Sequence, residues 1–163
     1  MNIEQIVREY IDKSVHMSLA TASSNMPWVC EVHFVYDEHL NLYFRSLASR
    51  RHSQEIATNP NIAGNIVRQH ALGEYPHGIY FEGTAKMLTD AAEQKRVFLL
   101  FQKRLKQPES ILEEAQKPDG HKFYKITVKN WYAFGKFSGE SGQKYELVWN
   151  GGERGKSDVR VTA

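Results

Sequence analysis

The sequence predicts a mainly β fold with peripheral helices, a small antiparallel barrel of six to eight short strands. Three observations carry this reading. Trp28, Cys30, Val32, Phe34 and Tyr36 alternate in a strict period of two, the mark of a strand with one buried face. Further short apolar runs follow, separated by turn-forming residues. The stretches with helical spacing fall at the start of the chain or between strand groups, so they lie at the edges of a sheet rather than inside a bundle.

Taken in order, Ile3, Ile6, Val7, Tyr10 and Ile11 recur at helical spacing and predict an amphipathic first helix. Met17 to Ala22 is a short strand, closed by the turn Ser23-Ser24-Asn25-Met26-Pro27. The Trp28–Tyr36 stripe is the second strand, and Asp37-Glu38-His39 connects it to a third over Leu40 to Ser46. A short helix runs from about Arg50 to Thr58, with Ser49 as N-cap and Asn59-Pro60 as its stop. It should plug one end of the barrel. Ile62 to Val67 is a strand, Gln69 to Gly78 a long loop, and Ile79 to Leu88 a strand in which Gly83 marks a bulge or a close backbone approach. Asp90 and Glu93 open a helix whose Val97, Phe98, Phe101 and Leu105 share one face, expected to pack outside the barrel. Ser110 to Gln116 is one more short helix. Phe123 to Val128, Tyr132 to Phe137 and Tyr145 to Trp149 read as the closing strands. One domain over residues 1–150 and a polar tail over 151–163 are expected.

Composition narrows the function classes. At 163 residues the chain is long enough to bury a core without staples. A net charge of +2 argues against nucleic acid as the main partner. The single cysteine, Cys30, excludes an internal disulfide framework and fits a cytoplasmic protein. No apolar run reaches membrane-spanning length, and no signal peptide is visible, so no membrane partner is expected.

The segment richest in chemistry is Asn41 to Ser53. A strand ends there in a hydroxyl and two adjacent arginines where a helix begins. A helix start presents unpaired N–H groups and a partial positive charge. Two arginines there are unfavourable by about 0.3–1 kcal/mol each unless an anion compensates. Ser46, Ser49, Arg50 and Arg51 therefore form a candidate phosphate seat.

The order of these elements resembles the FMN-binding split barrels of the pyridoxamine 5'-phosphate oxidase-like superfamily. The residues that carry the resemblance are Met17-Ser18-Leu19-Ala20-Thr21, Tyr36-Asp37-Glu38, Leu42-Tyr43-Phe44, Ser49-Arg50-Arg51, Asn59-Pro60-Asn61-Ile62-Ala63 and Gly78-Ile79-Tyr80-Phe81-Glu82-Gly83. The resemblance implies a homodimer holding FMN in the cleft between subunits. By the same resemblance Arg50 and Arg51 fall where oxidases grip the FMN phosphate. Phe44, Arg45 and Ser46 fall on the strand end lining that phosphate, and Val32 and His33 beside the flavin ring. Gly78 falls where an oxidase glutamine reaches the flavin of the neighbouring subunit.

Departures from the oxidases matter as much. Val29 and Phe34 stand where oxidases carry basic residues for FMN and the vitamin substrate, and no Arg-x-His signature closes the chain. Vitamin B6 oxidation is therefore disfavoured. A branch with a Ser/Thr-x4-Arg-His pattern, met by Ser46 and Arg51-His52, looks closer. The implied function is flavin-mediated redox of a small molecule, with NADH or NADPH as electron partner. Other readings stay open: a non-enzymatic flavin or haem binder, a deazaflavin-dependent reductase, or an interaction module without cofactor.

The remaining candidates have ordinary structural explanations. His33 lies on the strand face opposite the apolar stripe and reads as a hydrogen-bonded histidine. None of the seven histidines is paired at His-x3-His spacing, so no metal site is expected, though a single histidine suffices for haem. Cys30 reads as a buried, inert thiol. Trp131, Tyr132, Phe134, Phe137 and Trp149 read as core or dimer interface. No side chain stands out as an acid, base or nucleophile.

Overall fold

The computed structural model describes residues 3–135, 144–149 and 157–162, the last two segments by their backbone. The elements are α1 (Ile3–Lys13), β1 (His16–Ser23), β2 (Met26–Tyr36), β3 (Leu42–Leu47), α2 (Arg51–Thr58), β4 (Asn61–Val67), β5 (Gly78–Met87), α3 (Ala91–Leu105), α4 (Ser110–Gln116), β6 (His121–Phe134), β7 (Lys144–Trp149) and β8 (Ser157–Thr162). Hydrogen bonding runs β3-β2-β1-β4-β5-β6, and β3 pairs again with β6, so six antiparallel strands close into a barrel. Closure removes the exposed edges that an open sheet of this length would carry. No helix among the described residues is long and apolar enough to cross a membrane.

Alternation decides what fills the barrel. Met17 and Leu19 of β1, Val32 and Phe34 of β2, and Leu42 and Phe44 of β3 point inward. Phe81 and Trp131 meet them from the other side, their rings 5.4 Å apart. The apolar face of α1 (Ile3, Ile6, Val7, Tyr10, Ile11) joins the same interior cluster, and so does Ile56 of α2. A second cluster lies outside the barrel wall. There Val97, Phe98 and Phe101 of α3 and Ile111 and Ala115 of α4 cover Val35, Tyr43 and Phe123. The outside placement of α3 is the one its periodicity predicts. Its expected N-cap also forms, with Asp90 Oδ1 accepting from the Glu93 amide at 2.7 Å.

Three local expectations need correction. First, β6 is one strand where the sequence reads as two. Its inward positions run Tyr124, Ile126 and Val128, then Trp131 and Ala133, so the phase flips once. The flip is a β-bulge: Glu82 faces Asn130 while Gly83 faces Val128, leaving Lys129 unpaired. A sequence stripe cannot survive such a step. Phe137, placed by the sequence at that strand's end, lies outside the described residues. Second, Ser157–Thr162 is a strand paired antiparallel to β7, inside the stretch read as a polar tail. Its Asp158-Val159-Arg160-Val161-Thr162 alternation is short enough to be lost among the glycines before it. Third, Ser49 is not the N-cap of α2, because the helix starts one residue later and Arg50 occupies that position.

The β2–β3 hairpin is held by one carboxylate. Asp37 accepts from the His39 and Asn41 amides, both at 3.0 Å, from the Asn41 side chain and from the Tyr43 hydroxyl at 2.7 Å. Burial alone would raise its pKa, but these hydrogen bonds outweigh it and the net shift is downward. A depressed carboxyl contributes stability that is present above its unfolded value of 3.8 and is lost as pH falls through the lower folded value. Asp37→Asn should therefore cost about 2 kcal/mol at pH 7. It should also flatten the loss of stability between pH 5 and pH 2, measured by urea unfolding across that range.

Candidate functional site

β2, β3 and α2 meet around a cavity of about 580 Å³, within the roughly 300–1,000 Å³ usual for small-molecule sites. Its walls are drawn from the inward end of β2, the last residues of β3, the first turn of α2, the end of α3 and the start of β6. Among the residues that the sequence singled out, Val32, His33, Arg45, Ser46, Arg50 and Arg51 line it. Phe44 and Ser49 do not. Phe44 is fully buried in the barrel, stacked on Tyr124 with ring centroids 4.9 Å apart. Ser49 is exposed in the turn before α2.

The start of α2 is bare. Arg50 sits at the N-cap with extended backbone (φ −69°, ψ 147°), and no side chain caps the helix. The first-turn amides are left for another acceptor. Arg50 itself is exposed and makes no ion pair or side-chain hydrogen bond among the described residues. Arg51 is in a different situation. Its Nε donates to Glu55 Oε1 at 2.8 Å, and its guanidinium lies over the Trp28 ring at 4.5 Å. Glu55 is itself buried and accepts from Thr21 Oγ1 at 2.5 Å. The Thr21 hydroxyl and then Arg51 hold the Glu55 carboxyl below its usual range. Of the two arginines, one is free to meet a ligand and the other is tethered at the rim.

His52 folds back beneath this turn and is buried. Its Nε2 lies 2.7 Å from Ser46 Oγ and its Nδ1 3.3 Å from Cys30 Sγ. Burial, reinforced by the charge on Arg50, lowers its pKa, so the ring is neutral at pH 7. Burial pushes the Cys30 thiol up, with Glu31 and Glu55 adding to the effect, so it stays protonated. From sequence alone Cys30 reads as inert and His52 has only a place in a pattern. Their contact depends on pairing α2 with β2, which no local spacing reveals.

A second charged group closes the far wall. Arg45 Nη2 lies 2.5 Å from Glu114 Oε2, and His121 Nδ1 lies 2.6 Å from Glu114 Oε1. His121 first, and Arg45 after it, hold the Glu114 carboxyl down to about 2 against the opposing effect of burial. Arg45 Nε is buried without a hydrogen-bond partner among the described residues. His33 sits at the mouth with its Nε2 2.7 Å from that of His16 on the neighbouring strand.

The positions at which the sequence departs from the oxidases are accounted for. Val29 faces outward and is 60% exposed, whereas Phe34 is fully buried in the barrel, so neither belongs to this cavity. At Gly78 an added Cβ would lie 2.8 Å from both Phe134 Cε1 and Val67 Cγ1. A longer side chain there requires those two to move. The residues present fit an anionic, ring-bearing ligand. The uncapped start of α2, the exposed Arg50 and the buried Ser46 hydroxyl lie at one strand–helix junction, Arg45 and His121 stand on the far wall, and apolar Val32, Phe101 and Leu105 are also in the lining.

Comparison with known proteins agrees with this architecture. UPF0306 proteins of Yersinia pseudotuberculosis and Yersinia pestis are 24% identical over 90 residues, 55% of this chain, and the match spans 61% of their own length. General Stress Protein 26 of Bacillus anthracis superposes with a TM-score of 0.61 at 18% identity, covering 82% of this chain and 94% of that one. The haem storage protein HutZ of Vibrio cholerae gives a TM-score of 0.64 at 16% identity, covering 78% and 91%. At such identities these two structures establish the fold alone. The family model of pyridoxamine 5'-phosphate oxidase matches residues 3–135, from α1 through the end of β6 and across every wall of the cavity. The chain belongs to the pyridoxamine 5'-phosphate oxidase family.

Proposed function

We propose that the protein binds FMN in this cavity and serves as a flavin-dependent oxidoreductase acting on a small organic molecule. The observation that carries the reading is the convergence of the bare α2 N-terminus, Arg50 and Ser46 at one end of a cavity of about 580 Å³. Arg50 and the first-turn amides hold the phosphate dianion, with the Ser46 hydroxyl beside them. Val32 and Trp28 offer an apolar edge for the ring system. The bound flavin supplies the hydride or electron transfer, with a nicotinamide nucleotide as donor. The chain's own residues bind, orient and exclude water. Cys30 stays a thiol and His52 a neutral imidazole, so neither competes as a nucleophile or a strong acid.

The active form in this reading is a homodimer. Met26 and Trp28, on one face of β2 at the β1–β2 hairpin, are 63% and 41% exposed, and Trp28 lines the cavity, so a second copy covering them would close the cleft. Haem storage is the second reading, favoured by the likeness in fold to the haem storage protein HutZ and by His33, His52 and His121 in the cavity wall.

The test is to identify what copurifies with the native protein and to titrate it. Flavin absorption bands, fluorescence quenching on adding FMN, and a dimer by sedimentation at micromolar concentration are expected. A Soret band with no flavin affinity would transfer the site to haem. A monomer that ignores both ligands would remove the reading.

A further inference from the structure

The chain Cys30–His52–Ser46 spans three elements, and each member lines the cavity. Its hydrogen-bond directions can be worked out from the donors available. Cys30 is a protonated thiol with two acceptors in reach, the Leu19 carbonyl oxygen at 3.9 Å and His52 Nδ1 at 3.3 Å; sulfur is itself a weak acceptor, so the closer contact takes the S–H and His52 Nδ1 accepts. A neutral imidazole carries one proton, and with Nδ1 accepting, that proton belongs to Nε2. Nε2 faces Ser46 Oγ at 2.7 Å. The serine oxygen thereby accepts, and its own proton must point elsewhere. Within the protein its alternative is the Leu47 carbonyl at 3.4 Å, a poor contact.

We propose that His52 is a positioning residue for the anion seat: locked by Cys30 in its Nε2–H form, it turns the Ser46 hydroxyl outward as a donor to a phosphate. In the opposite tautomer Nε2 would accept a hydrogen bond from the Ser46 hydroxyl, leaving an oxygen lone pair facing the dianion. The pair thus sets whether the same serine attracts or repels the ligand. This explains why a histidine with a lowered pKa is buried in the same first turn of α2 that carries the two arginines. The inference rests on the FMN reading for the identity of the anion, but the tautomer does not.

Two measurements separate the two claims. In ligand-free protein with ¹⁵N-labelled histidine, long-range ¹H–¹⁵N correlations should show His52 as the Nε2–H tautomer, and Cys30→Ala should turn it into a mixture. An Nδ1–H signal in the wild type overturns the proposal whatever the ligand. In titrations, His52→Asn and Ser46→Ala should each weaken FMN about tenfold while leaving riboflavin, which lacks the phosphate, unchanged. His52→Gln, whose amide reaches the Nε2 position, should recover most of that loss, and the His52→Asn/Ser46→Ala double variant should be no weaker than either single one. Equal losses for FMN and riboflavin would assign His52 a packing role only and overturn the proposal. If the wild type ignores FMN, the cofactor reading fails. Inorganic phosphate, followed by ³¹P line broadening, then takes the place of FMN in the same comparison, and broadening unaffected by His52→Asn overturns the inference.

Discussion

Arg50→Ala should weaken FMN binding by about 10- to 100-fold without altering thermal stability. Arg50 is exposed and has no partner to strand among the described residues, so its removal deletes a charge-assisted contact with the ligand. Arg51→Ala should behave differently. Arg51 is the i,i+4 partner of the buried Glu55 and covers Trp28, so removing it strips one of two partners from a buried carboxylate. Half of its side chain faces solvent, which limits the cost to about 1–2 kcal/mol of stability. The double variant should lose about the same 10- to 100-fold of FMN affinity as Arg50→Ala alone, by fluorescence titration. Unchanged affinity in a stably folded double variant would remove the phosphate from this end of the cavity.

Gly83→Ala should destabilise the fold by roughly 3 kcal/mol, the largest effect expected of any single methyl group in the barrel. An added Cβ would fall 2.1 Å from the Thr127 carbonyl oxygen and 3.0 Å from Val128 Cα, all backbone atoms of the facing strand. Backbone cannot swing aside as a side chain can, so relief requires pulling β5 from β6. Those two strands form the bulge that flips the phase of β6 and lets both Val128 and Trp131 point inward. A lower urea midpoint at unchanged m-value is the expected signature. A variant as stable as the wild type would show that the bulge is not a tight constraint.

How far the fold and the site can be read from the chain follows from which contacts are local. The barrel is legible because β1 to β5 each carry a run of short-period or turn-bounded signal, and Asp90 and Gly83 announce a cap and a close approach. Ser46, Arg50 and Arg51 can be singled out because they lie within six residues of one strand–helix junction, and all three line the cavity. Phe44 reads as a ligand contact only through the family resemblance. In β3, however, Leu42 and Phe44 face the interior while Tyr43 is covered by α3, so both faces are buried and the sequence has no polar side to mark direction. The partners of the site are hidden for another reason. Glu114 holding Arg45 and Cys30 touching His52 are contacts that only the folded chain defines, unlike the i,i+4 pair of Arg51 and Glu55. The first two pairs are separated by 69 and 22 positions, beyond the reach of any spacing rule.

The measurement that bears most directly on the account is a crystal structure of the protein with FMN. The phosphate is expected at the first turn of α2, within hydrogen-bond distance of the Arg50 guanidinium, the Ser46 hydroxyl and the helix amides, with the ring running along β2 past Val32. A flavin bound with its phosphate in solvent and Arg50 turned away, or bound elsewhere on the barrel, would contradict it.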